Sequence, residues 1–204
     1  MSEQQNVLNL SKEDTSTPML LDLTKVLEEA SIPVPTKLLV GAGWTPAPTG
    51  EPNLDVDLTI AGINADGKLI DQGNFAFFNQ KTIPGVQLGE DDRSGKSSDD
   101  NEDEAETDDE TADIVLADLT GVGFIASLSV FDDIKKRTLK DAGDCYIRLV
   151  NPDTGEEMVR VGMSTVDADA VHAIKVTLID GALVAEAIET TVTGKLADVI
   201  ASLS

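Results

Sequence analysis

Alternation of apolar and polar residues runs through most of this chain, and no other feature narrows its fold so far. It appears in "KLLVGAGW" (37–44), "LDVDLTIAGI" (54–63), "NFAFFN" (74–79), "ADIVLADL" (112–119) and "VGFIASLSVF" (122–131). It continues in "CYIRLV" (145–150), "EMVRVGM" (157–163), "HAIKVTLI" (172–179) and "ALVAEAIETTV" (182–192). Side chains two apart on an extended backbone share a face, so each run predicts a strand with one face buried. Turn residues punctuate the runs: Asp66-Gly67, Pro152 with Gly155, and Asp180-Gly181, the last a strong hairpin signal between two apolar stretches. Strands spaced this closely pair antiparallel, and two packed sheets bury their apolar faces. The expectation is an all-β protein, an antiparallel β-sandwich.

Helix is sparse. "TKVLEEA" (24–30) has room for two turns before Pro33 and Pro35 stop it. The tail "GKLADVIASLS" sets Leu196, Val199, Ile200 and Leu203 on one side, which predicts a short C-terminal helix docked by that side. Residues 131–143, "FDDIKKRTLKDAG", read as a short exposed helix or a loop crossing between strands. At 204 residues the chain suits one well-cored domain spanning 1–204, and with aromatics at 3% the core must come from Val, Ile, Leu and Ala.

The formal charge is −23, and residues 89–110, "GEDDRSGKSSDDNEDEAETDDE", hold twelve carboxylates against one arginine and one lysine, a net −10 of it. Such a field repels phosphate backbones and anionic lipid heads, so nucleic acid is not an expected partner. It attracts divalent cations and basic proteins. The run is too charged to pack a core, and 90–111 reads as a flexible acidic loop inserted in the sandwich. No apolar run approaches the roughly 18 residues of a membrane span, and "MSEQQNVLNL" lacks a basic region followed by a hydrophobic stretch. Neither membrane insertion nor a signal peptide is expected, and cytoplasmic residence is. With Cys145 the sole cysteine, a disulfide within the chain is excluded.

Asp55 and Asp57 put two carboxylates on one face of a strand, where they either flank a cation or form the solvent face of an edge strand. Asp99, Asn101, Asp103, Thr107 and Glu110 match EF-hand positions 1, 3, 5, 9 and 12, but Glu104 stands where that loop turns on Gly, and no helices flank it. His172 opens an apolar strand and reads as structural. Cys145 reads as a small buried residue, Trp44 as packing, and Arg148 as the partner of a buried carboxylate. "GKSS" (95–98) lacks the upstream glycine of a phosphate loop.

The order of several pieces resembles the TerD tellurium-resistance family. Gly41, Gly43 and Trp44 match its Gly-x-Gly-Trp strand, Asp55 and Asp57 its Asp-x-Asp strand, and Phe77, Phe78 and Asn79 its Phe-[Tyr/Phe]-Asn segment. Asp91, Asp92, Arg93, Ser94 and Gly95 follow as its acidic loop, with Asp92 in place of the usual Asn, and Asp108, Asp109 and Glu110 close it. "CYIRLV" matches a later strand, and "VLNLSKEDTSTPMLLDLTK" resembles the paired strands at the family's start. The resemblance covers about residues 7–163, with an acidic loop roughly ten residues longer than usual and without the Trp- and Gly-rich ending.

What the resemblance implies is a calcium-binding β-sandwich with a role in resistance to tellurite and other stresses, acting by binding and not by catalysis. Calcium takes six to eight hard oxygen ligands on an adaptable frame. Its expected ligands are Asp55, Asp57, Asp91, Asp92, Asp108, Asp109 and Glu110, if the loop from Asp91 folds over the strand end. The expected partners are calcium and other TerD-like or basic proteins. Two further readings stay open: a building block of a larger particle such as a virus, which would associate with itself, and an electrostatic mimic that occupies basic proteins.

Overall fold

A computed structural model describes residues 19–45, 52, 54–90, 108–131 and 136–204. Among them, twelve strands and two short helices are β1 (Met19–Asp22), α1 (Leu23–Glu29), β2 (Lys37–Thr45), β3 (Asp55–Ile63), β4 (Phe75–Ala76), β5 (Thr82–Ile83), β6 (Val86–Leu88), β7 (Glu110–Val115), β8 (Gly123–Phe131), β9 (Gly143–Asn151), β10 (Glu156–Gly162), β11 (Ala170–Ile179), β12 (Ala182–Val192) and α2 (Leu196–Ser202). They form two six-stranded antiparallel sheets. The first runs β1-β12-β11-β8-β3-β4 and the second β10-β9-β2-β7-β6-β5. The antiparallel β-sandwich expected from the alternation is the fold found. No helix among the described residues is long and apolar enough to cross a membrane.

Alternation explains the core. Leu38, Val40, Ala42 and Trp44 of β2 face inward, as do Val56, Leu58 and Ile60 of β3 and Cys145, Ile147 and Leu149 of β9. Trp44 is held by an indole N–H donated to the Leu54 carbonyl, 3.1 Å away. The hairpin at Asp180-Gly181 turns with both residues at positive φ, +51° and +84°, the geometry a two-residue primed turn requires.

A second apolar layer lies outside the first sheet. Ala61, Ile63, Phe75 and Ile125 are capped by Val199 and Leu203, with Leu196 and Ile200 packed alongside, so the tail docks by the side its spacing predicts. The Leu69 amide, donating to the Leu203 carbonyl at 2.7 Å, ties the helix end to the sheet. Beneath the helix sits His172. A bulge at Ala173 turns Ala173 and Ile174 both into the core and leaves His172 facing out, under α2. Ser202 donates its hydroxyl to the Val199 carbonyl (2.7 Å), so its oxygen accepts from His172 Nε2 (2.7 Å), and Nδ1 accepts from the Ser127 hydroxyl (2.8 Å).

Some elements depart from the alternation. The run at 74–79 forms a strand only over β4, with a single further bridge from Phe77 to Gln80, and the run at 112–119 starts earlier, at Glu110, and ends at Val115 in a single 3-10 turn. The β5–β6 hairpin escapes the pattern because its strands are two and three residues long; Pro84-Gly85 is its turn. Gly85 has φ +75°, and a Cβ there would lie 2.7 Å from the Leu119 nitrogen. In the crossing at 131–143, Thr138 caps a 3-10 turn, Leu139–Asp141; residues 132–135 lie outside the described residues.

Candidate cation site at the edge of the first sheet

Strand β3 carries Asp55 and Asp57 on the outer face of the first sheet, opposite Phe131 and Ser129 of β8. Strand β4 pairs only with Ile60 and Ala61, so among the described residues the earlier half of β3 has no strand neighbour on that side. Glu110 fills part of the gap. It starts β7 in the second sheet, points inward, and accepts the Leu58 N–H at 2.5 Å. A buried carboxylate thus clips one sheet to the other at the point where the acidic run re-enters the fold.

Two spaces meet at Asp57. One is a recess of about 10 Å³ bordered by Asp57, Glu110, Glu90, Lys81 and Gly89, a volume that suits a single water or ion. Lys81 braces its rim, donating to the Gly89 carbonyl at 2.9 Å. The other is a cavity of about 370 Å³ with Asp55, Asp57 and Ser129 on its polar side, walled by Phe78, Phe131 and the first turn of α2. That turn is fixed by Gly194 N–H to Asp169 (2.7 Å) and Lys195 N–H to Asp198 (2.9 Å).

The carboxylates that close the acidic run diverge. Asp108 lies on the outer face of the second sheet, where Arg148 donates to both its oxygens (2.8 and 3.0 Å) and the Tyr146 hydroxyl donates at 3.0 Å. Gly41 and Gly43 clear the space: a Cβ on Gly41 would fall 2.0 Å from the Asp108 carboxylate, and one on Gly43 would fall 2.6 Å from the Tyr146 ring. Arg148 also bonds Glu157, Glu157 bonds Arg160, and the Arg160 guanidinium lies 4.0 Å from the Tyr146 ring centroid. Burial alone would raise the Glu157 carboxyl, but the hydrogen bonds from Arg160 and Arg148 outweigh it and hold it below its ordinary value. Burial, with Asp108 adjoining, raises Tyr146.

Asp109 turns a third way, accepting the Trp44 N–H at 2.8 Å while its own N–H donates to the Ala42 carbonyl. Asp108, Asp109 and Glu110 therefore hold fixed places on the sandwich, inside the stretch expected to be loop. Residues 91–107, with Asp91, Asp92 and the EF-hand-like spacing, lie outside the described residues. Of the seven expected calcium ligands, the structure brings Asp55, Asp57 and Glu110 to one region. Asp108 and Asp109 it commits elsewhere. Among the described residues no group of three or more His, Cys, Asp or Glu side chains is arranged to hold a metal ion. The hard-oxygen chemistry suits calcium, but a full shell needs donors beyond these.

Other reactive groups are sealed. Burial pushes the Cys145 thiol up to about 12, so it stays protonated. Ser127 and His172 have the spacing of a nucleophile and base, yet both are buried under α2, and the second ring nitrogen meets a serine rather than an orienting carboxylate. Phe131 and Lys195 at the cavity were not found by motif; only the β3–β8 register and the docking of the tail bring them there.

Comparison with known proteins adds the ancestry of this arrangement. The TerD domain profile matches residues 22–202, which carries the kinship well past residue 163. A homologue of a telluride resistance protein from Streptomyces coelicolor superposes with a TM-score of 0.65 at 17% identity, over 80% of this chain and 94% of that one. A crystal structure of a protein of unknown function superposes at 0.60 and 16% identity, over 77% and 92%. At such identities the superpositions speak for the fold.

Proposed function

The chain belongs to the TerD domain family, and on that premise we propose that it works in a tellurium- or stress-resistance setting by binding calcium, not by turnover. The observation that carries this reading is the meeting of Asp57 and Glu110 at an ion-sized recess where the acidic run rejoins the sandwich. Asp55 stands beside it on the same strand face. Asp57 and Glu110 would contact the ion, and Asp55, Asp91 and Asp92 would supply the rest of the shell alongside backbone carbonyls such as that of Gly89. Asp108 and Asp109 serve as anchors that return the run to this place. A bound divalent cation would neutralise the mutual repulsion of these carboxylates.

Calorimetric calcium titration of three proteins tests it: wild type, a deletion of 96–107, and Asp55→Asn/Asp57→Asn. Micromolar binding kept by the deletion and lost in the double variant is the expected result. Binding lost only with the deletion would move the site into the acidic run, and weak millimolar heats from all three would end the calcium reading.

A further inference from the structure

The cavity beside Asp55 has a chemistry that a bare metal ion does not satisfy. Its polar side is Asp55, Asp57 and Ser129, with Lys195 also on the lining, but most of its wall is apolar: Phe131, Phe78, Val130, Leu196 and Ala197. Both rings are unusually open for their size, 55% and 43% exposed. A hydrated divalent ion would leave those walls facing water. A neutral apolar guest would bring neither charge nor donor to the carboxylates. A guest that satisfies both sides carries positive charge at one end and hydrocarbon behind it. The volume, about 370 Å³, lies in the range of small-ligand pockets.

The protein's own side chains show the preference. The Lys195 ammonium stands 6.0 Å from the centroid of the Phe131 ring, at the outer limit of a cation–π contact. That ring therefore already turns its face to a cation at the mouth of the cavity. The net charge of −23 raises the local concentration of cations and disfavours anions. We propose that this cavity is a binding site for an organic cation, an ammonium or guanidinium on a short apolar stem. The charged head meets Asp55 and Asp57, and the stem packs against Phe131 and Phe78. Lys195 competes for the same ring and sets how tightly the guest is held. The cavity adjoins the ion-sized recess, with Asp57 and Phe78 lining both, and Asp55 is common to the guest and the proposed calcium site.

Butylguanidinium and its neutral isostere butylurea, titrated by calorimetry into the full chain, test the proposal. Butylguanidinium is expected to bind about tenfold or more tightly than butylurea. Phe131→Ala, at an exposed position, should weaken it by roughly three- to thirtyfold, and Asp55→Asn comparably. Lys195→Met should strengthen it severalfold. Phe131→Ala should leave the calcium isotherm unchanged, so this site and the calcium site can fail independently. N-acetylarginine amide identifies the source of the cation. Binding equal to butylguanidinium points to a side chain of a basic protein, and tenfold weaker binding to a free small cation; both support the site. Equal affinity for butylguanidinium and butylurea, or an affinity unmoved by Phe131→Ala, overturns it.

Discussion

Asp108 occupies the space in front of Gly41 that any other residue would claim, 2.0 Å from where its Cβ would be. The glycine is there for its missing side chain. Gly41→Ala should push the carboxylate off Arg148 and cost about 2–4 kcal/mol in denaturant unfolding. In an Asp108→Ala background the same substitution should cost far less, because nothing remains to collide with. A double-mutant cycle reads the difference, and additive costs would refute the steric account.

Arg148 links two carboxylates; its removal should take the guanidinium from Asp108, while Glu157 keeps Arg160. Arg148→Ala should destabilise by about 3 kcal/mol, since the Asp108 side chain is only 4% exposed. It should also raise the Glu157 carboxyl. Glu157 titrates below its ordinary value of 4.5 when folded, so its stabilisation is complete above that value and is lost as pH falls through the depressed one. The variant should show a weaker acid dependence of stability in that range than wild type.

Burial lowers the titration of His172 below 6.5. The folded chain therefore binds this proton less readily than the unfolded one. Its stabilising effect is present above pH 6.5 and declines as pH falls from there through the depressed value, with a slope of at most about 1.4 kcal/mol per pH unit. Thermal melts of wild type and His172→Gln across pH 7.5 to 5 check this, the variant lacking the extra slope.

Helix α2 hangs on few contacts. Val199→Ala should cost about 1–3 kcal/mol, and Ser202→Ala a similar amount by leaving the His172 N–H without its acceptor. Both should speed hydrogen exchange of the Leu69 amide, which bonds to the Leu203 carbonyl, more than that of the Leu58 amide.

Period two was enough to place the long strands, because each has one face in a core; β12 begins and ends where its alternation does. Short pieces such as β5 and β6 carry too few residues to show a period, although Pro84-Gly85 between them is itself a turn signal. Asp55 and Asp57 could be put on one face from spacing alone. The separation of Asp108 from Glu110 could not, since it depends on a bend at Asp109 just before β7. That Arg148 would meet a carboxylate was legible, but which one was not, because the two are far apart in the chain and joined by the β2–β7 and β2–β9 registers.

The acidic run leaves from β6 and returns to β7, and these strands are hydrogen-bonded neighbours, with Gly89 N–H donating to the Thr111 carbonyl just outside their ladder. The excursion therefore begins and ends at points the sandwich already holds together. For a connection with pinned ends, chain length enters the closure entropy only logarithmically, about 0.6 kcal/mol for each doubling of a flexible loop. Were the segment the flexible loop its composition predicts, residues could be added to or taken from it at little thermodynamic cost to the fold. The charge of the molecule can thus drift over evolutionary time, or be set by an engineer, independently of the architecture that carries it.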